Sequence, residues 1–443
     1  MSSHVARSRV TKALTDANLA SSFAAAEARL DAVRPCILLG ATEAATAAGQ
    51  TAALTAIVTA RKCFGRVQLV GAGLDVPLLQ PLLAGATIGE AAQTLGADVI
   101  SAMGSGVTHL IRIGDATRWR GWQVSTWWDR WLAGTRLFGE KTGSSALALT
   151  GMFAGALAVR QIFAHVRSGI SAQEATVSLW EPACAARPDR TGPKRCTIPT
   201  RLWLVGLGHL GQAFVWGLLA LPLRGERYAV LQDDQWIGVE NEPTSLLVGA
   251  GDIGARKVRV AARWLDHGRW TTGLIERRHL GDIRRTEQDP AILLMGLDDV
   301  RPRRVLAAHG FDYVIDAGIG HGATDFERFQ IRVIAAGAPV DKLWLEHAPA
   351  PRRDRLMEQA AYAALEREIG QCGVVPLVDA SVAVPFVGAA TAALVIAQLA
   401  RLGAMSSAIA LLQLELDAPG MVIDGGQTDA PASFLGGETF MLD

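Results

Sequence analysis

Residues 202–211 combine an apolar run with glycines at the spacing of a phosphate-binding loop. Residues 202–205 lead directly into Gly206-Leu-Gly208-His-Leu-Gly211, and residues at helical spacing follow. Such a strand-to-helix turn presents backbone N–H groups to a phosphate at the helix N-terminus. An acidic pair, Asp233 and Asp234, ends the next strand, where a carboxylate meets a ribose hydroxyl. These features alone fit NAD and ATP equally well.

Three later features separate the two nucleotides. Asn241 follows the acidic pair, and Lys257 lies in the first turn of a helix after a glycine-containing loop. Asp298 and Arg303 follow a third apolar strand. A dehydrogenase needs no lysine or aspartate of this kind. A reaction that expels pyrophosphate needs a cation on the departing phosphates and a carboxylate for Mg²⁺.

The order GxGxxG, strand-end Asp, Asn, D-I-G-x-x-K and D-[ND]-x-x-x-R resembles the adenylating domain of the ThiF/MoeB and ubiquitin-activating enzyme superfamily, over about residues 200–405. The resemblance implies ATP and Mg²⁺ as cofactors, with Asp298 as the metal ligand. It implies catalytic roles for Lys257 and Asp298, and a bracing role for Arg303. The implied nucleotide-binding residues are Gly206, Gly208, Gly211, Asp233, Asp234, Asn241, Lys257, Asp298 and Arg303.

Two departures from the superfamily pattern bear on this site. The family usually reads Asn-Leu-x-Arg-Gln, but Thr244 stands where the phosphate-contacting Arg would be. Either Arg256, a further nucleotide-binding candidate, or a side chain from the other α/β unit of the chain replaces that charge, or activity is reduced. No CxxC zinc motif is present, which lowers the expectation of a role in thiamin or molybdopterin synthesis.

Cys372 lies in Glu368-Ile-Gly-Gln-Cys372-Gly, just ahead of an apolar helix. Ubiquitin-activating enzymes adenylate the C-terminal glycine of a ubiquitin-like protein and then capture it as a thioester, so the resemblance implies Cys372 as the nucleophile. A mobile, partly exposed thiol suits this attack; the alternative is a buried small hydrophobic residue. The layout is similar to the activating enzyme of Bil-type bacterial ubiquitin-like conjugation operons, which implies a conjugating enzyme as partner and a place in antiphage defence.

Short apolar runs alternate with helical segments in both halves, which predicts parallel sheets with crossover helices. We predict an α/β fold of two tandem Rossmann-like, doubly wound units. These are an inactive adenylation-like domain at 30–175 and an active one at 200–405, with a cysteine segment at about 345–378. A helical arm at 1–29, a linker at 176–199 and a tail with short strands at 406–443 complete the chain.

The first of these units has no glycine loop after its opening strand. We therefore interpret it as a degenerate copy that no longer binds nucleotide. The two units would then form an intrachain pseudo-dimer, which needs no second chain to complete its active site.

Composition argues against several other classes of protein. The 443-residue chain has a formal net charge of zero, so it lacks the excess of positive charge that is typical of nucleic-acid-binding proteins. Two apolar stretches, 144–159 and 380–399, are short or interrupted by Pro385 and Gln398, so we expect core helices instead of membrane spans. Widely spaced cysteines and the lack of a signal-peptide pattern predict a reduced, cytoplasmic protein.

Simpler interpretations of the motif residues stay open. Asp233 and Asp234 could be ordinary strand-end acids, Lys257 a solvated helix residue and Asp298 a helix N-cap. The chain could also be an NAD-dependent oxidoreductase, or a non-catalytic scaffold that keeps the fold for partner binding.

Other residues have less specific patterns. The Trp-rich stretch at 119–131 predicts either internal packing or a docking surface for a conjugating enzyme or the ubiquitin-like protein. We interpret His209 as a loop residue rather than a catalyst. His321 could lie near the site, but no pattern assigns it a role.

Overall fold

The structure is a computed structural model. It describes residues 7–80, 82–83, 86–138, 142, 147–184, 192–280, 282, 284–307, 310–340, 343–344, 356–419 and 421–442, with the side chains of residues 184, 371 and 372 outside this description. The α-helices are α1 (Ser8–Thr15), α2 (Phe23–Asp31), α3 (Ala41–Ala44), α4 (Ala47–Phe64), α5 (Ile88–Thr94), α6 (Ala148–Ser168), α7 (His209–Leu219), α8 (Lys257–His267), α9 (Val300–Ala307), α10 (Ala360–Ile369), α11 (Gln371–Asp379) and α12 (Pro385–Gly403). The strands are β1 (Pro35–Leu39), β2 (Gln68–Gly71), β3 (Asp98–Val99), β4 (His109–Ile113), β5 (Trp122–Asp129), β6 (Leu132–Arg136), β7 (Ala175–Ser178), β8 (Arg195–Ile198), β9 (Arg201–Val205), β10 (Tyr228–Gln232), β11 (Thr271–Ile275), β12 (Ile292–Met295), β13 (Tyr313–Ile319), β14 (Arg328–Ala335), β15 (Leu411–Glu415), β16 (Val422–Asp424) and β17 (Glu438–Met441).

The described strands form two large sheets with matching strand order, and β8 pairs with β17 separately. The first sheet runs β3-β2-β1-β4-β5-β6-β7 and the second runs β11-β10-β9-β12-β13-β14-β15-β16. In sheet order, the strands from β3 to β5 in the first sheet and from β11 to β13 in the second are parallel. The remaining strands of each sheet are antiparallel to their neighbours. We call β1–β7 with α1–α6 the first unit, and β9–β16 with α7–α12 the second unit. The predicted α/β fold with parallel sheets is confirmed, and the antiparallel edges were not predicted.

Helix α12 of the second unit packs against α4 and α6 of the first, and Trp216 of α7 donates a hydrogen bond to Thr55 of α4. Within the first unit, small residues let α4 and α6 approach closely: a Cβ on Gly151 of α6 would lie 1.9 Å from the Ala48 carbonyl oxygen of α4. Pro385 stands at the start of α12, where its missing N–H breaks no helical hydrogen bond. Buried residues of both units consequently belong to one hydrophobic cluster.

Of the helices that the structure describes, α6 and α12 are long and apolar enough to cross a membrane by length and composition. In α6, 89% of the most apolar window is buried inside the protein, and in α12 the share is 100%. A core helix gives the same signal, so length and composition are weak evidence for a span. The burial agrees with the predicted core helices.

The Trp-rich stretch forms β5 and its turn into β6. Trp128 is 1% exposed and Trp131 is fully buried, whereas Trp119, Trp122 and Trp127 are half-buried. Internal packing therefore accounts for the two most buried of these rings.

Several short strands fall outside the predicted domain limits. Most of β7 and all of β8 lie within the predicted linker at 176–199, and β15 and β16 join the second sheet although they follow residue 405. These strands have three to five residues each. So few positions give no clear alternation of apolar and polar residues.

Candidate functional site

A cavity of about 470 Å³ opens at the carboxyl ends of β9, β10 and β12. Because β12 returns to pair with β9 on the side opposite β10, the strand order reverses here. Ligands of open α/β sheets bind at this kind of crevice. The described part of the wall includes most of the predicted nucleotide-binding residues: Gly206, Gly208, Asp233, Asp234, Asn241, Lys257, Asp298 and Arg303.

The glycine loop joins β9 to α7 in a conformation that requires glycine. Gly206 has a φ of 81°, a left-handed conformation that glycine adopts without steric cost. A Cβ on Gly211 would lie 2.0 Å from the Gly206 carbonyl oxygen. Because α7 begins at His209, the positive end of its dipole lies at the cavity wall.

Asp233, at the end of β10, holds this loop in place. Its Oδ2 accepts the Leu207 N–H at 2.7 Å, and its Oδ1 accepts the Gln235 N–H at 2.8 Å. Burial raises the pKa of Asp233, and the Lys257 ammonium opposes this shift. The neighbouring carboxylate of Asp234 lies 3.3 Å from the Arg278 guanidinium. The acidic pair therefore ties the strand to the loop and contacts a cation.

Lys257 and Asn241 reach the cavity from two further elements. Lys257 is the first residue of α8 and is 7% exposed, which does not fit a solvated helix residue. Its Nζ donates to Gln235 Oε1 at 2.5 Å. Asn241 is 6% exposed, and its Oδ1 accepts the Gly238 N–H at 2.9 Å. Both side chains are therefore fixed at the cavity wall.

The segment after β12 supplies a carboxylate and a cation. Asp298 lines the cavity, whereas Asp299 accepts a backbone N–H of the first turn of α9 at 3.0 Å and so caps that helix. Arg303 donates from Nε to the Leu297 carbonyl at 2.9 Å and contacts Asp316 at 3.4 Å. Burial raises the pKa of Asp316, which the Arg303 guanidinium opposes. Arg303 is thus braced from two sides.

Arg9 of α1 also lines the cavity, and sequence patterns missed it. Its Nε donates to the Ser381 carbonyl at 3.0 Å, and its own carbonyl accepts the Ala383 N–H at 3.1 Å. Burial lowers the pKa of Arg9, while the carboxylates of Asp298 and Glu240 raise it. The guanidinium is therefore electrostatically coupled to the acids of the cavity.

Thr244 and Arg256 lie outside the described cavity wall. The Arg256 guanidinium is 4.0 Å from the centroid of the Trp236 ring, and its Nη1 donates to the Asp234 carbonyl at 2.6 Å. The Thr244 hydroxyl donates to the Glu240 carbonyl at 2.9 Å. Arg256 is therefore outside the cavity, whereas Arg9, from the predicted arm at 1–29 and not from the predicted unit at 30–175, lines it.

Three histidines line the described part of the cavity: His209, His279 and His321. His209 Nδ1 lies 2.5 Å from the Thr244 carbonyl oxygen and donates to it. Burial lowers the pKa of His209 to about 4, so the ring is neutral near pH 7 and connects two loops. His321 Nδ1 lies 2.6 Å from Ser381 Oγ, on the exposed side of the cavity.

Cys372 lies in α11, but its side chain lies outside the described part of the structure. Helices α10 and α11 pack on α1 through a buried polar group. Lys12 Nζ donates to Tyr362 Oη at 2.6 Å and to the Val378 carbonyl at 3.4 Å, and it lies 3.2 Å from Asp16. Helix α1 thus contacts both the cavity and the helix that carries Cys372.

The other described cysteines have the wrong environment for a nucleophile. Cys36, Cys63 and Cys196 are free and buried. Burial raises the pKa of each thiol, so little reactive thiolate forms near pH 7.

The first unit has a carboxylate at the position that corresponds to the glycine loop of the second unit. Glu43 follows β1, is 6% exposed and accepts the Thr142 hydroxyl at 2.7 Å. A Cβ on Gly114, after β4, would lie 1.8 Å from Glu43 Cδ. The side chain therefore fills the space between the two strand ends, and its charge would repel a phosphate.

Comparisons with known proteins place the whole of this α/β region in one family. The model of the BilD N-terminal domain matches residues 34–179, and that of the BilD C-terminal domain matches residues 198–405. The bacterial E1-like protein BilD of Collimonas sp. (strain OK412) is 31% identical over 412 residues, which are 90% of this chain and 88% of that protein.

Solved structures give a weaker likeness. The crystal structure of E. coli MccB with MccA-N7isoASN aligns with 54% of this chain and 67% of its own, at 13% identity and a TM-score of 0.36. MccB without that ligand aligns with 54% of this chain and 66% of its own, at 12% identity and the same TM-score. The two family models, matched in chain order, and the relative aligned over most of its length show that the chain belongs to the BilD family of bacterial E1-like proteins.

Proposed function

We propose that the protein is an ATP- and Mg²⁺-dependent activating enzyme, which adenylates the C-terminal carboxylate of a ubiquitin-like protein. One observation carries the proposal: a single cavity brings the glycine loop, Lys257, Arg9 and Arg303 together with Asp298. Cations for the phosphates and an acid for a divalent ion are what adenylation requires. Membership of the BilD family supports the same reaction class.

The proposed chemistry needs little covalent help from the protein. A carboxylate oxygen of the partner attacks the α-phosphorus of ATP, an O–P bond forms, and the bond to the β-phosphate breaks. Pyrophosphate leaves with that electron pair, and no proton moves because the attacking group is already an anion. The task of the site is positioning and charge neutralisation. Lys257 and Arg9 would bind the phosphates, and Asp233 would bind the ribose.

Asp298 would hold Mg²⁺ together with phosphate oxygens. Within the described residues, no group of three or more His, Cys, Asp or Glu side chains is placed to hold a metal. One carboxylate with substrate phosphates is a usual arrangement for this hard cation. The ion would supply further positive charge beside the departing pyrophosphate.

Arg9 would replace the family's phosphate-contacting Arg, which is Thr244 here. Three observations support this role: Arg9 lines the cavity, Asp298 and Glu240 act on its charge, and Arg256 stacks on Trp236 instead. The first unit would thus complete the active site of the second.

Cys372 would capture the acyl group after adenylation. Its thiolate would attack the carbonyl carbon, a C–S bond would form, the C–O bond to AMP would break, and AMP would leave. A cysteine of a conjugating enzyme would then take the acyl group by thioester exchange. The packing of α10 and α11 on α1, which carries Arg9, supports communication between the two steps.

We further infer an intrachain pseudo-dimer with one active site, in a reducing cytoplasm. Three observations support this organisation. The two sheets have matching strand order, α12 packs on α4 and α6 between them, and Glu43 stands in the first unit where the second has its glycine loop. The buried free thiols are consistent with a reducing compartment.

ATP–pyrophosphate exchange tests the activity. With a glycine-terminated ubiquitin-like protein from a neighbouring reading frame, labelled pyrophosphate should enter ATP only when Mg²⁺ is present. The same partner without its last glycine is the matched control and should give no exchange. Calorimetry that detects NADH binding without ATP binding would instead favour an oxidoreductase. ATP binding without exchange would favour a scaffold.

A further inference from the structure

Lys62 is a buried cation of the first unit whose ammonium contacts the second unit. It lies near the C-terminal end of α4 and is 5% exposed. Its Nζ donates to the carbonyls of Glu242 and Val248, the latter at 2.7 Å, and lies 3.8 Å from the Glu242 carboxylate. These partners belong to residues 242–249, a loop of the second unit.

The 242–249 loop connects two parts of the nucleotide cavity. It directly follows Asn241, which lines the cavity. His209 of the glycine loop donates to the Thr244 carbonyl at 2.5 Å, and Gln212 of α7 accepts a backbone N–H of the loop at 3.1 Å. Lys62 thus donates to carbonyls near both ends of the loop, while residues of α7 form hydrogen bonds with Thr244 and Leu247 between them.

We propose that Lys62 is a positioning residue for ATP, which clamps the 242–249 loop so that Asn241 and the glycine loop keep the spacing that the nucleotide requires. This inference rests on the proposed function and adds a second contribution of the first unit to the site. Lys62 is not part of the described cavity wall, so it acts through the loop.

The energetics of burial favour a specific role for this ammonium. A buried charge is costly unless acceptors surround it, and here the acceptors of Lys62 belong to one loop. Burial lowers the pKa of Lys62 to about 8, while the carboxylates of Glu242 and Asp252 raise it. The side chain therefore remains charged at pH 7. Without it, two backbone carbonyls lose their donor, and the loop loses its tie to α4.

A second hydrogen bond between the units provides a matched control. Trp216 Nε1 of α7 donates to Thr55 Oγ1 of α4 at 3.0 Å. Thr55 is fully buried and lies on the same helix as Lys62. Thr55→Val removes this bond with little change in volume, and Thr55 itself forms no hydrogen bond with the 242–249 loop. Trp264, whose ring contacts that of Trp216, keeps its own hydrogen bond to the Leu247 carbonyl.

The test compares Lys62→Met with Thr55→Val by calorimetric ATP binding, ATP–pyrophosphate exchange and thermal unfolding. Lys62→Met should raise both Kd and KM for ATP by at least about tenfold, the effect expected for a lost charged hydrogen bond. Its kcat should stay within about threefold, because the loss affects ground state and transition state alike. Thr55→Val should leave Kd and KM unchanged.

Equal ATP affinity in Lys62→Met and wild type would overturn the inference. So would an equal rise in Kd for Thr55→Val, because general loosening of the interface would then explain the effect. If Lys62→Met does not fold, Lys62→Gln, which keeps a donor, takes its place and should weaken ATP binding in the same direction. A wild-type protein that binds no ATP refutes the proposed function and this inference together, whereas wild-type binding with unaffected variants refutes only the inference.

Discussion

Arg9 allows a direct test of the cavity, because it reaches the site from α1 and lies outside every sequence motif. Arg9→Met keeps the aliphatic stem and removes the guanidinium. The hydrogen bond to the Ser381 carbonyl is lost, but the backbone bond from Ala383 to the Arg9 carbonyl stays. We therefore expect α1 to remain docked while the cavity loses one positive charge.

The size of the effect follows from the charges that remain. Two unit charges 4 Å apart interact by about 4 kcal/mol at an effective dielectric constant of 20. Desolvation offsets part of this energy, and hydrogen bonds to charged groups contribute about 1.5–3 kcal/mol net. Four other cations still line the described part of the cavity, namely Lys257, Arg277, Arg278 and Arg303, so we expect a loss of about 2–3 kcal/mol of transition-state stabilisation. At 1.36 kcal/mol per tenfold change, kcat/KM for ATP should fall about 30- to 160-fold.

The assay is ATP–pyrophosphate exchange over a range of ATP concentrations, with thermal unfolding of each variant as the check on folding. Arg9→Lys is the control: it keeps the charge, so it should recover part of the lost kcat/KM. If folded Arg9→Met keeps kcat/KM within about threefold of wild type, Arg9 does not contact the phosphates.

Three further variants test other parts of the proposal. Cys372→Ala should keep ATP–pyrophosphate exchange and lose the reducible conjugate with the ubiquitin-like protein; a conjugate that persists removes Cys372 from the mechanism. Asp298→Asn should raise the Mg²⁺ concentration for half-maximal exchange by at least about tenfold, because a carboxylate ligand is lost; an unchanged Mg²⁺ dependence contradicts its role. The third variant is His109→Gln. Burial and the nearby His165 lower the pKa of His109 to about 4 in the folded protein, whereas the unfolded histidine has a pKa of about 6.5. As the pH drops below about 6.5, the unfolded state therefore binds a proton that the folded state does not, and the free energy of unfolding falls. Between pH 7 and 5 this costs about 2 kcal/mol of unfolding free energy. His209, with a similarly lowered pKa, contributes to the pH dependence of both proteins, so in chemical denaturation His109→Gln should lose about 2 kcal/mol less than wild type; the same pH dependence in both proteins refutes this.

Motif residues of the second unit could be predicted because local sequence fixes their place. Gly206 directly follows one strand, Asp233 directly follows the next, and Lys257 is the first residue of a helix. Each residue therefore lies at the carboxyl end of the sheet because of its local sequence alone. The parallel strands that position them are continuous apolar runs, which predict buried strands.

Contacts between the units could not be predicted in this way. Arg9 and Lys62 contact the site region from the first unit, and no spacing in the chain relates them to the glycine loop. Arg256 shows the opposite case. It is adjacent to Lys257 in sequence, yet the exposed Trp236 ring attracts its guanidinium away from the cavity. Side-chain direction at such positions depends on neighbours that a linear pattern does not contain.

The layer formed by α4, α6, α7 and α12 makes the two halves of the chain mutually dependent for folding. Cutting the chain between the sheets would expose alanine- and glycine-rich helix faces that now belong to one continuous hydrophobic cluster, and such faces promote aggregation. We therefore expect that removal of the first unit, in which Glu43 stands where the second unit has its glycine loop, would destabilise the second unit. Under the proposed function, selection on the adenylating unit would preserve the packing surface of the first unit, whereas the interior around Glu43 would be free to change.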